Sequence, residues 1–139
     1  MLMTLTLVLA GCQDPGPPAK DPSPSARRQP LRNSDAPISD AAILAEVARP
    51  LTRDDQTRLM DRHEVIGTQN GVRVVIDYPC SDICPDYTTR VLHLDVAPGS
   101  ACHAAGGVVR EQWVPIGVAV ESRPFCLPRI LADRDAAER

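Results

Sequence analysis

Glu64 to Tyr78 reads EVIGTQNGVRVVIDY. Asn70-Gly71 at its middle is the strongest short hairpin signal, because both residues tolerate the positive φ of a two-residue turn. Gln69 then closes one strand and Val72 opens the next. Val72, Val74 and Ile76 alternate with Arg73, Val75 and Asp77, so the first set points one way and the second the other. The same period recurs downstream. Thr88 to Val96 is expected as a strand with Leu92, Leu94 and Val96 inward and Val91, His93 and Asp95 outward. Ala97 to Ser100 reads as a turn, Gly106-Gly107 opens a strand from Val108 to Val114, and Ile116, Val118 and Val120 mark another. Upstream, Ser39 is placed to cap a helix from Asp40 to Arg49, which Pro50 closes. Thr52-Arg53-Asp54-Asp55 starts a second helix running to about Arg62, with Leu59 and Met60 inward. The expected fold is α+β: two short N-terminal helices packed on a small, mainly antiparallel sheet of about five strands.

The first dozen residues carry a different message. Leu9-Ala10-Gly11-Cys12 ends a short apolar run and resembles the lipobox of bacterial lipoproteins. That resemblance implies cleavage before Cys12 and a diacylglyceryl thioether on its sulfur. It also implies an address in the bacterial cell envelope, lipid-anchored and facing the periplasm or the exterior. Residues 1–10 hold no Lys or Arg, although a secretory signal usually begins with one. The expected cause is a start codon placed too late, with a basic segment upstream of Met1. Ten apolar residues do not span a bilayer, so acyl chains are expected to do the anchoring.

The organisation follows. Residues 1–11 are read as signal peptide and 12–37 as lipidated Cys12 with a proline-rich linker. Residues 38–131 form a globular domain and 132–139 a charged tail. The linker has too few apolar side chains to order itself. It carries four basic against three acidic side chains, a net of +1, which leaves the rest at −4 of the chain total of −3. A mildly acidic domain has no electrostatic footprint for nucleic acid. The expected partners are the membrane, through the anchor, and an envelope protein. No cofactor is expected.

With Cys12 assigned to lipid, Cys80, Cys84, Cys102 and Cys126 remain, an even number in an exported chain that reads as two disulfides. They staple a domain with only four large aromatic residues, Tyr78, Tyr87, Trp113 and Phe125. If the strands alternate up and down, the pairs are Cys80–Cys84 and Cys102–Cys126. If 108–121 is one strand bent at Pro115, the crossed pairings are favoured instead.

Three candidate sites arise. Cys80-Ser81-Asp82-Ile83-Cys84-Pro85-Asp86 resembles the copper loop of Sco-type chaperones. That resemblance implies copper(I) on Cys80 and Cys84, soft thiolates suited to it, with an imidazole such as His103. Asp77, Asp82 and Asp86 near these thiols favour the thiol over the thiolate, which points to an inert bridge. His93 and Asp95 share an outward face and are expected as a solvated pair, since no serine has a supporting motif for nucleophilic work. Trp113 is expected in the core. No catalytic site is assigned.

Overall fold

The hairpin forms at Asn70-Gly71. A computed structural model of the chain describes residue 16 and residues 30–79, 90–116 and 119–139. Strand β1 (Arg62–Gln69) pairs antiparallel with β2 (Val72–Tyr78). Asn70 at φ 51° and Gly71 at φ 77° supply the left-handed pair the turn needs. β3 (Val91–Leu94) pairs antiparallel with the other side of β2. A second, two-stranded antiparallel sheet is built from β4 (Gly107–Ile116) and β5 (Ala119–Pro128). The fold is α+β, with five strands in two sheets rather than in the single sheet expected. Between the sheets the chain forms a short helix, α3 (Ser100–Ala104), where the sequence suggested only a turn.

Local chemistry explains the helix ends. In α1 (Asp40–Ala48) the Ser39 hydroxyl accepts from the Ala42 amide at 3.2 Å. In α2 (Arg53–Leu59) the caps are reciprocal: Thr52 Oγ1 accepts from the Asp55 amide and Asp55 Oδ2 from the Thr52 amide, each at 3.1 Å. This helix stops at Leu59, short of the expected Arg62. Asp61 takes φ 54° and its amide donates to the Tyr78 carbonyl at 2.9 Å, so β1 has begun by Arg62. Leu59 is buried as expected, but Met60, one residue past the helix, is 43% exposed. The tail drawn from residue 132 belongs instead to α4 (Arg129–Ala137), which buries Leu131 and Ala132.

The core joins Ile43, Leu59, Val74, Ile76, Leu94, Cys102 and Leu131. Val91, expected to face water, is buried, and so is Val75, so the centre of the first sheet is covered on both sides. Residues 32–38, of which the sequence placed 32–37 in the linker, lie parallel beside β1. Val65 N donates to Arg32 O, Ser34 N to Val65 O, Thr68 N to Ala36 O and Ile38 N to Thr68 O, all at 2.9–3.1 Å.

Cys102 and Cys126 form a disulfide, with Cα atoms 5.5 Å apart. It rests on Gly107, where a Cβ would collide with both sulfurs and with Leu94. The crossed arrangements are thereby excluded for these two residues. Their condition fails as well, because β4 runs straight through Pro115, which lies opposite Val120. A proline is tolerated in an outer strand, where no partner needs its missing N–H. Cys80 and Cys84 lie outside the described residues.

Candidate functional site

Three constellations bring polar or apolar side chains together. The first is a charge cluster under the strap of residues 32–38. Glu64 on β1 is 1% exposed. Its carboxylate accepts from the Arg32 amide at 2.9 Å, from Arg32 Nη2 at 3.1 Å and from the Tyr78 hydroxyl at 3.1 Å. Arg32 also forks onto both oxygens of Glu46 on α1. Burial alone would raise the Glu64 pKa, but the Arg32 donors outweigh it and hold the group below its ordinary value. Burial, and then the charge of Glu64, push the Tyr78 hydroxyl up to about 12. Each acceptor in this cluster is occupied by a donor of the chain itself. Its work is to bind the strap to the sheet and to α1.

The second is an imidazole between the sheets. His93 does not pair with Asp95. Its Nε2 lies 2.6 Å from Asp77 Oδ2 and its Nδ1 3.0 Å from the Leu94 carbonyl. The Phe125 ring of β5 lies 5.1 Å away, tilted by 51°. Both ring nitrogens face oxygen acceptors, an arrangement that favours the protonated ring, in which both donate. Burial opposes that charge. The Asp77 hydrogen bond and the Leu94 carbonyl prevail, and the pKa lies above its ordinary value. A general base needs a free lone pair, and both nitrogens of His93 are engaged with oxygens of the chain. The His93–Asp77 pair ties β3 to β2 within the first sheet, and the Phe125 contact carries the ring against the second.

The third is the β4–β5 arm. Directly opposed residues of an antiparallel pair share a face. Gly107, Val109, Glu111, Trp113 and Pro115 therefore share theirs with Pro128, Cys126, Pro124, Ser122 and Val120. At the base this face closes over the disulfide. Trp113 lies four residues beyond Val109, about 13 Å along the strand, and there the face has outrun the body. Trp113 is 68% exposed and Val120 61%. Trp113 is therefore not in the core as expected. Every residue from Ala119 to Pro124 is exposed. The only charges on the arm are Arg110, Glu111, Glu121 and Arg123, which cancel. Arg123 pairs with Glu121 at 3.0 Å, and Ser122 donates to Glu111 at 2.9 Å.

The candidate copper ligands fare differently. Cys80 and Cys84 fall outside the described residues, while His103 sits exposed on α3 beside the disulfide-bonded Cys102. Among the described residues no three His, Cys, Asp or Glu side chains converge as a metal-ligand set. An open cleft of about 530 Å³ lies between the start of α1, the β1–β2 turn and α3. Several of its polar groups are engaged with the chain: Gln69 donates to Asp40 at 2.8 Å and Asn70 to the Ala105 carbonyl at 3.1 Å. No described helix is long and apolar enough to cross a membrane. No family model matches the chain, and no curated protein or solved structure is significantly similar to it.

Nothing in the sequence pointed to the charge cluster, because Arg32 stood in what read as linker. The arm did have a signal. Trp113 to Val120 is eight consecutive residues without a charge.

Proposed function

We propose that this protein is a lipid-anchored component of the bacterial cell envelope. A small disulfide-stapled domain serves as a non-catalytic interaction module on the membrane surface. The observation that carries the reading is the Cys102–Cys126 bond in a chain whose Leu9-Ala10-Gly11-Cys12 resembles a lipobox. A disulfide of this kind persists outside the reducing cytosol, and a lipobox requires export, so the two ends of the chain argue for one compartment. The interaction surface is the β4–β5 arm, which presents its largest apolar side chain to solvent instead of to the core. The two polar constellations hold elements together and leave no group free to do acid–base work.

Growth with radiolabelled palmitate tests the anchor. The parent protein should take up label and sediment with membranes, and Cys12→Ser should abolish both. An unlabelled, soluble parent contradicts the reading. Alkylation of the native protein tests the module's inertness. Cys80 and Cys84 should resist modification as a bridge. Two reactive thiols that bind copper(I) would turn the assignment to copper or thiol handling through Cys80 and Cys84, with His103 the nearest candidate third ligand in sequence.

A further inference from the structure

The exposed face of the β4–β5 arm faces a choice of occupants: a lipid surface, another protein or a second copy of the chain. We propose that the distal part of the arm is a second membrane contact, in which Trp113, Pro115 and Val120 enter the interfacial layer of the bilayer. The inference rests on the anchored reading above, which keeps the domain beside that bilayer. From Cys12 to Pro30 there are 18 residues of chain, a reach of at most about 60 Å. The domain is thus confined to a layer in which an apolar arm meets lipid continually.

The chemistry of the arm fits lipid. Tryptophan is the residue enriched where headgroups meet acyl chains. Along β4, Trp113 stands between the charged Arg110 and Glu111 and the uncharged run that ends at Val120, while on β5 Glu121 lies opposite Val114, on the other face of the arm, tied to Arg123. Pro115 and Val120 are opposed beyond Trp113 on its own face. The four charges of the arm cancel, and the rest of the domain is mildly acidic. Attraction to anionic headgroups therefore contributes little, and the association is driven by apolar burial. Depth is limited by the backbone. Pairing of β4 with β5 satisfies only the inner edges of a two-stranded arm, and unsatisfied groups are costly in hydrocarbon. Insertion is consequently shallow, with headgroups and water serving the outer edges.

Trp113 is the sole tryptophan of the chain, so its emission reports on the arm alone. The test uses the full chain carrying Cys12→Ser, with its disulfide intact. It is mixed with vesicles of phosphatidylcholine, or of phosphatidylcholine with phosphatidylglycerol, with and without brominated acyl chains. Emission should shift to the blue on both vesicle types, be quenched by the brominated chains and keep its shift at high salt. Val120→Asp should weaken partitioning about tenfold or more, and Val120→Ser by less. Unchanged circular dichroism and an intact disulfide show that both variants fold. A silent Trp113 overturns the inference. So does binding lost at high salt, undiminished partitioning of the Val120→Asp protein, or a blue shift that grows with protein concentration without lipid. The acyl group is absent throughout, so the outcome is independent of the anchor. Palmitate labelling with a silent Trp113 refutes the arm alone, and a responsive Trp113 without labelling refutes the anchor alone.

Discussion

Single side chains fix how the layers meet. Glu64 holds Arg32, and through it the strap of residues 32–38, against the sheet. Glu64→Ala strands Arg32 beside a single remaining carboxylate and should cost about 3 kcal/mol in denaturant titration. Because the folded pKa of Glu64 is depressed, its contribution is present above about pH 4.5, its ordinary value, and lost as pH falls through the folded value. The Glu64→Gln protein should show a flatter acid limb than the parent. His93 has the opposite sign. Its pKa is raised, so its stabilisation is complete below pH 6.5 and lost as pH rises through the folded value. His93→Gln should remove that alkaline-side decline, read as midpoint against pH; an unchanged decline would show the protonated His93–Asp77 pair to be wrong. Gly107→Ala sets a methyl group against the disulfide and should cost about 1–3 kcal/mol. None of these roles was visible in the sequence. The partners of Glu64 and His93 are Arg32 and Asp77, 32 and 16 residues away, and periodicity carries no information on such pairs.

Elements with a local cause were legible. Ser39 and Thr52 cap where their side chains predict, and Asn70-Gly71 turns the first hairpin. What failed was the environment of each face. Strand alternation says which residues share a side and cannot say what covers it. Val91 was therefore placed in water and Trp113 in the core, each wrongly. Trp113 is exposed while its neighbour Val114 is buried, because the arm outruns the body on one face only. The disulfide staples α3 to β5 across a sequence separation of 24. Chain entropy then gives it about 3.5 kcal/mol. The Cys102→Ala, Cys126→Ala double variant should unfold at correspondingly lower denaturant, and Val120→Ser, on the exposed end of the same strand, should not. Equal losses in the two would mean that the arm is packed, contrary to its exposure.

For the whole molecule, the α+β class and the antiparallel pairing followed from alternating hydrophobicity and turn residues, whereas the division into two sheets did not. α3 lies between the two sheets in the chain, and the sheets meet through side chains such as His93 and Phe125. The linker boundary was misread for a similar reason: Arg32 to Ile38 holds its place through backbone bonds to β1, and composition alone registers only its proline and serine. The functional account depends on export, with one cysteine acylated and others oxidised. Mass spectrometry of the protein purified from its own membranes tests both at once. The account predicts an N-terminus at Cys12 bearing acyl mass, and a Cys102–Cys126 cross-linked peptide. An N-terminus at Met1 or upstream with an unmodified Cys12, and Cys102 and Cys126 recovered as free thiols, would contradict it.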